Sequence, residues 1–170
     1  MRPSANDYAP AHAGYVALCP EEDVLSAIEQ QSSATQKVLS SLDEAKSEYR
    51  YAEGKWSIKQ VIGHMVDAER ILGYRVLAVA RGDEQPLPGF DEQEYVRNAS
   101  FDDWKLGDLL EEYALVRRTS IVFFRNLSRD AWHRRGTANG FPISVLGMAY
   151  VILGHERHHL GILQDRYGVK

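Results

Sequence analysis

At 170 residues, with 44% hydrophobic and 26% charged positions and a formal net charge of −4, the chain has the size of one domain with a real core. Its charge balance carries no basic excess that would ask for nucleic acid, and a single cysteine, Cys19, excludes an internal disulfide or a thiolate metal cluster. Residues 1–20 hold no uninterrupted apolar segment of signal-peptide length, and no run approaches the ~20 residues needed to cross a bilayer, so a cytoplasmic protein without a membrane partner is expected.

Residues 1–20 contain Pro3, Pro10 and Pro20 without a period and read as an N-terminal arm, leaving 21–170 as the domain. Pro20-Glu21-Glu22-Asp23 opens a first helix, where negative charge suits the dipole, and Val24, Ile28, Thr35, Val38, Leu39 and Leu42 carry it to about Ser47. Ser57 is the N-cap of a second helix, whose inward stripe is Val61, Met65, Ala68, Leu72, Val76 and Val79 and which stops before Gly82. Residues 82–100, with Pro86, Pro88 and Gly89, lack a period and form a long crossover that walls any pocket. A third helix begins near Phe101-Asp102-Asp103-Trp104 with an acidic cap and runs through Leu109, Tyr113, Ile121 and Phe124. Thr137-Ala138-Asn139-Gly140 is turn chemistry, and Phe141-Pro142 sets the start of a fourth helix that ends before Gly168. Four amphipathic patterns with almost no period-two alternation predict an all-α four-helix bundle.

The dense chemical signal is Gly154-His155-Glu156-Arg157-His158-His159-Leu160. At roughly 100° per residue, Met148, Ile152, His155, His159 and Ile162 share a stripe, so two imidazoles one turn apart can share a metal ion, while His158 points away. Such a pair is half a site, because a transition ion commonly takes a third protein ligand and keeps a position open. His64, at the edge of the second helix's stripe, is the candidate third ligand, since bundle cores build metal sites from facing helices. His12 and His133 lie in irregular segments without a comparable pairing.

Gly54-Lys55-Trp56-Ser57-Ile58, then His64, Asp67-Ala68-Glu69-Arg70, and much later His155-Glu156-x-x-His159 resemble the DinB-like (damage-inducible) superfamily of four-helix bundles, over about Val24 to Tyr167. The resemblance implies one divalent metal, zinc or nickel with iron as an alternative, on His64, His155 and His159. It also implies a reaction drawn from the family's range, which includes S-transferases using low-molecular-weight thiols such as bacillithiol or mycothiol, a mycothiol-dependent isomerase, and hydrolases. Homodimers are frequent in that family, so a homodimer is implied as well.

His155-Glu156-x-x-His159 also spells the zincin motif, but only eleven residues follow His159, none of them histidine or glutamate, and no strand precedes the helix to align a peptide. Glu156-x-x-His159 matches the di-iron bundle signature, yet no second such pair exists on another helix. Glu156 is the candidate catalytic residue, as a partner for a water at the metal, against a plain salt bridge to Arg157. The expected activity is thiol-dependent S-transfer to a small electrophile. The alternatives are a metal-dependent hydrolase that activates water, and a metal-stabilised stress-response module without turnover.

Overall fold

Four stretches with an apolar stripe at helical spacing form the long helices of the computed structural model, which describes residues 1–170. In chain order the elements are α1 (Ala13–Ala17), α2 (Val24–Leu39), α3 (Glu44–Ser47), α4 (Ile58–Ala80), α5 (Glu92–Ala99), α6 (Leu106–Arg125), β1 (Arg135–Ala138), β2 (Phe141–Ser144) and α7 (Val145–Tyr167). The chain therefore has the expected four-helix bundle of α2, α4, α6 and α7, with smaller elements in its connections. No helix is long and apolar enough to cross a membrane.

Around the bundle the order is α2, α6, α4, α7, each packed on the next and α7 closing on α2. Helices α4 and α6 run the same way: Ser57 Oγ donates to Asp102 at the start of both, and Arg70 pairs with Glu112 further along. Helix α7 runs against α4 and alongside α2, since Arg157 meets Gln31 while Ser41 donates to the Lys170 carbonyl. Two neighbours that point the same way cannot be joined by a tight turn, so residues 81–105 must travel the length of the bundle. That is the physical reason for the long crossover.

Caps explain where the helices begin. Asp23 accepts from Ser26 N–H at the start of α2, Ser57 and Gln60 form a reciprocal capping box on α4, and Ser144 accepts from Gly147 N–H on α7 at 3.0 Å.

Several expected boundaries are corrected. The first long helix ends at Leu39 rather than near Ser47, because the hydroxyls of Ser40 and Ser41 turn back onto the Lys37 and Val38 carbonyls and Asp43 then caps the separate turn α3. Phe101–Asp103 form a 3-10 turn instead of a helix start, and the first amide of α6, that of Leu106, is taken by Glu44 Oε2 at 3.0 Å. The crossover contains α5, capped by Asp91. Phe141-Pro142 belong to a strand: Asn139 and Gly140 both adopt left-handed backbone, the requirement of a two-residue hairpin turn, and β1 pairs antiparallel with β2 before Ser144 starts α7.

Residues 1–20 lie along α7. Val16 and Cys19 are buried, Asp7 accepts from Ser144 N–H, and the carbonyl of Tyr15 occupies the place where a side chain on Gly154 would sit. Glycine at 154 is what permits that approach.

The core is divided. Ile28, Val76, Ile121 and Leu153 belong to one apolar cluster, while Leu39, Ile62, Leu109 and Leu163 belong to another. Between them, each of the four long helices contributes to a band of buried polar residues: Ser32 and Thr35 on α2, His64 and Glu69 on α4, Arg117 on α6, and His155, Glu156 and His159 on α7.

Candidate metal centre

His64 sits two turns into α4, where the Ser57 capping box fixes the start of the helix and therefore the direction of each side chain. Opposite it, His155 and His159 project from one stripe of α7. Each ring offers a nitrogen, and these three atoms lie within 4.8 Å of one another. Nε2 of His64 is 2.9 Å from Nε2 of His155, and the His159 ring centroid is 4.7 Å from that of His64 and 4.4 Å from that of His155. His158 is exposed and outside the cluster, edge-on to His159. His12 and His133 are also outside it.

Burial sets the protonation state. Exposures of 2%, 8% and 8% for His64, His155 and His159 penalise an imidazolium. Desolvation pulls His64 down to about 4 and His159 to about 3, the latter helped by its histidine neighbours, and holds His155 well below its ordinary value. At neutral pH the rings are uncharged, which is the state in which imidazole nitrogens ligate a metal. Three neutral nitrogens at this separation, with no lysine or arginine among them, fit a divalent transition ion with positions left for small ligands.

The walls are aromatic. Trp56 lies 5.0 Å from the His64 ring centroid, and Tyr15 is edge-on to His155 at 5.4 Å. Glu92, the first residue of α5, brings Oε2 to 3.9 Å from His64 Nε2 while its side chain stays 52% exposed. It lies between two openings. One, of about 250 Å³, is lined by Trp56, Glu92, Gln93 and His159; the other, of about 750 Å³, by Glu92, Gln93, His12, Arg75, Phe141 and Met148 among others. A separate apolar groove of about 490 Å³ between α4 and α6 includes none of the three histidines.

Glu156 is placed differently from either expected position. Its carboxylate accepts from the Tyr113 hydroxyl and lies 2.6 Å from Arg117, which also stands 2.8 Å from Glu69. Arg157 instead pairs with Glu21. Arg117 is fully inside the bundle and held strongly protonated by the two carboxylates, against the desolvation that opposes its charge. The crevice between this group and His155 leaves no room for a water molecule.

Sequence reasoning missed Glu92, Tyr15 and Arg75. Asp91-Glu92 is an acidic pair of the kind that begins a helix, and that was the available signal for Glu92. Nothing local announces Tyr15 or Arg75, whose positions depend on how the arm and the crossover fold back.

The comparisons with known proteins agree with this architecture. A model described as the DinB superfamily matches residues 27–163. A protein of Oceanobacillus iheyensis, named as a proposed metal-dependent hydrolase, is 31% identical over 72 residues, a match spanning 42% of this chain and 41% of that relative. Among solved structures, YfiT from Bacillus subtilis, described as a probable metal-dependent hydrolase with an unusual four-helix bundle topology, superposes with a TM-score of 0.69 at 15% identity, covering 100% of this chain and 95% of that one. A mycothiol-dependent maleylpyruvate isomerase superposes with a TM-score of 0.71 at 19% identity, covering 91% of this chain and 63% of the isomerase. From the family model and the shared fold, the chain belongs to the DinB superfamily.

Proposed function

We propose that this protein is a metal-dependent enzyme in which His64, His155 and His159 hold one divalent ion, zinc or nickel, and a low-molecular-weight thiol is transferred to a small electrophile. The observation that carries the reading is the convergence of three buried, uncharged imidazoles beside two openings, with the neighbouring Glu156 already engaged by Arg117 and Tyr113. An ion held there supplies Lewis acidity that lowers the pKa of a thiol or water brought to it. A thiol starts from about 8.5 and needs only a small shift to ionise at neutral pH, whereas water starts from about 15.7 and benefits far more from a protein base. Trp56 and Tyr15 keep bulk water from the rings, and the opening walled by α5 and the hairpin selects the electrophile.

A hydrolase is the second reading, and Glu92 favours it. Its carboxylate, 3.9 Å from His64 Nε2 and open to solvent, can take a proton from a water and pass it out. The names of the Oceanobacillus and Bacillus proteins support this reading, as the thiol in the isomerase's name supports the first.

The deciding experiment offers metal-loaded protein monochlorobimane with and without cysteine or mercaptoethanol, and separately a p-nitrophenyl ester. Consumption of the bimane only with added thiol, lost in His64→Ala, is the expected result. Ester cleavage without thiol, diminished in Glu92→Gln, selects the hydrolase. Neither activity, together with a loss of stability on chelation, leaves only the structural ion.

A further inference from the structure

Arg75 is 5% exposed, yet it makes no ion pair and one hydrogen bond, from Nη2 to the Pro88 carbonyl at 2.8 Å. Arginine is rarely buried this deeply without a carboxylate, because the desolvation of a guanidinium is otherwise uncompensated. The contrast with Arg117, flanked by two glutamates in the same bundle, is direct. Arg75 also lines the opening of about 750 Å³, where Phe90 lies 5.9 Å from its guanidinium and covers one side. The same opening holds His12, whose buried Nδ1 has no partner, and Asn139, held in left-handed backbone at the hairpin turn. Its acidic members, Asp91 and Glu92, are exposed, and Asp91 is already engaged in capping α5.

The residues lining the opening run from Glu92 to Arg75 and Met148. Met148, in its wall, precedes His155 by seven residues, about 10 Å of helix, and Arg75 follows His64 by eleven, about 16 Å. Glu92 marks its near end, next to the histidines.

The geometry points to Arg75 as the receptor for a carboxylate at one end of a small ligand whose other end reaches the histidine cluster. The ligand is an organic acid with an apolar body, matched to Phe141, Ile143 and Met148 along the way. A planar guanidinium recessed in the wall of the opening is suited to a carboxylate and discriminates against the uncharged analogue. The assignment of the reacting end rests on the metal-centre reading, whereas the anion site does not. The acid can belong to the electrophile or to the thiol, and the test separates them.

Binding is measured by calorimetry on metal-loaded protein, with metal content determined on the same samples. One arm compares 4-phenylbutyrate with 4-phenylbutanol, and the other compares 3-mercaptopropionate with 3-mercaptopropanol. In at least one arm the acid is expected to bind about tenfold more tightly than the alcohol. That preference should vanish in Arg75→Gln and survive in part in Arg75→Lys, with melting temperatures confirming that both fold. An Arg75-dependent preference in the first arm places the acid on the electrophile, and in the second on the thiol. Absence of any acid preference in the unmodified protein overturns the proposal, as does a preference that Arg75→Gln leaves intact. Protein that carries no metal yet shows the Arg75-dependent preference retains the anion site and removes only the metal reading.

Discussion

Nε2 of His64 lies 2.9 Å from Nε2 of His155 across 91 positions of sequence, and both rings are buried. Two neutral imidazoles in that contact share one proton at best, with one nitrogen donating and the other accepting. A divalent ion is a stronger partner for both lone pairs. We expect His64→Ala and His159→Ala each to lose bound metal in elemental analysis of protein purified without an affinity tag. Added zinc or nickel should raise the melting temperature of the unmodified protein and not of either variant, since an ion at a hundred times its Kd stabilises by about 2.7 kcal/mol. Full occupancy in both variants would sink the ligand assignment.

The same burial makes metal-free protein sensitive to mild acid. Once unfolded, His64 and His159 take up protons near their ordinary value of 6.5; folded, they do so only near 4 and 3. The unfolded chain therefore binds more protons below 6.5, and stability is complete above that value and declines as the pH falls toward 4 and 3. Urea midpoints of chelator-treated protein at a series of pH values should show this fall, and His64→Gln should flatten part of it. A midpoint that is level between pH 7 and 5 contradicts the burial of neutral rings.

Arg117 holds two buried carboxylates apart from each other's charge. Replacing it with methionine strands Glu69 and Glu156 without a counter-ion, and a loss of about 3–5 kcal/mol in denaturant unfolding is expected. Adding Glu69→Gln and Glu156→Gln to that variant should restore much of the loss. If the triple variant is as unstable as the single one, packing rather than charge accounts for the effect.

Gly154→Ala places a methyl group against the Tyr15 carbonyl. Either α7 or the arm must yield, at about 1–3 kcal/mol. Limited proteolysis is expected to cut near Gly14 faster in this variant, because α1 is the more weakly anchored partner. An unchanged cleavage rate would show that the arm tolerates the added carbon.

The histidine pair was legible because a helix repeat of 3.6 residues fixes which side chains share a stripe before any partner is known, and His64 followed from the stripe beside it. Ser57 was equally plain, since its cap acts within one turn. Helix α5 was not, because among its residues only Val96 is buried, and one contact leaves no period to read. Strands β1 and β2, of four residues each, are too short to display alternation, although Asn139-Gly140 marked their turn. The fate of Glu156 depended on α6 standing across the bundle from α7, so that Tyr113 and Arg117 reach it through the interior, which the order of residues within α7 does not encode. Glu92 and Arg75 were hidden for the same reason: each acts where the crossover folds back, at a distance from its sequence neighbours.

The band of buried polar groups between the two apolar clusters also governs alignment. A helix of uniformly apolar face can slip lengthwise by one turn, about 5.4 Å, and find nearly equivalent packing. Here such a slip would push a guanidinium, a carboxylate or an imidazole of α4, α6 or α7, or a hydroxyl of α2, into hydrocarbon, and every long helix carries part of that band. The band thus works as a vernier that locks the four rods at a single setting, and that setting is the one in which the histidines meet.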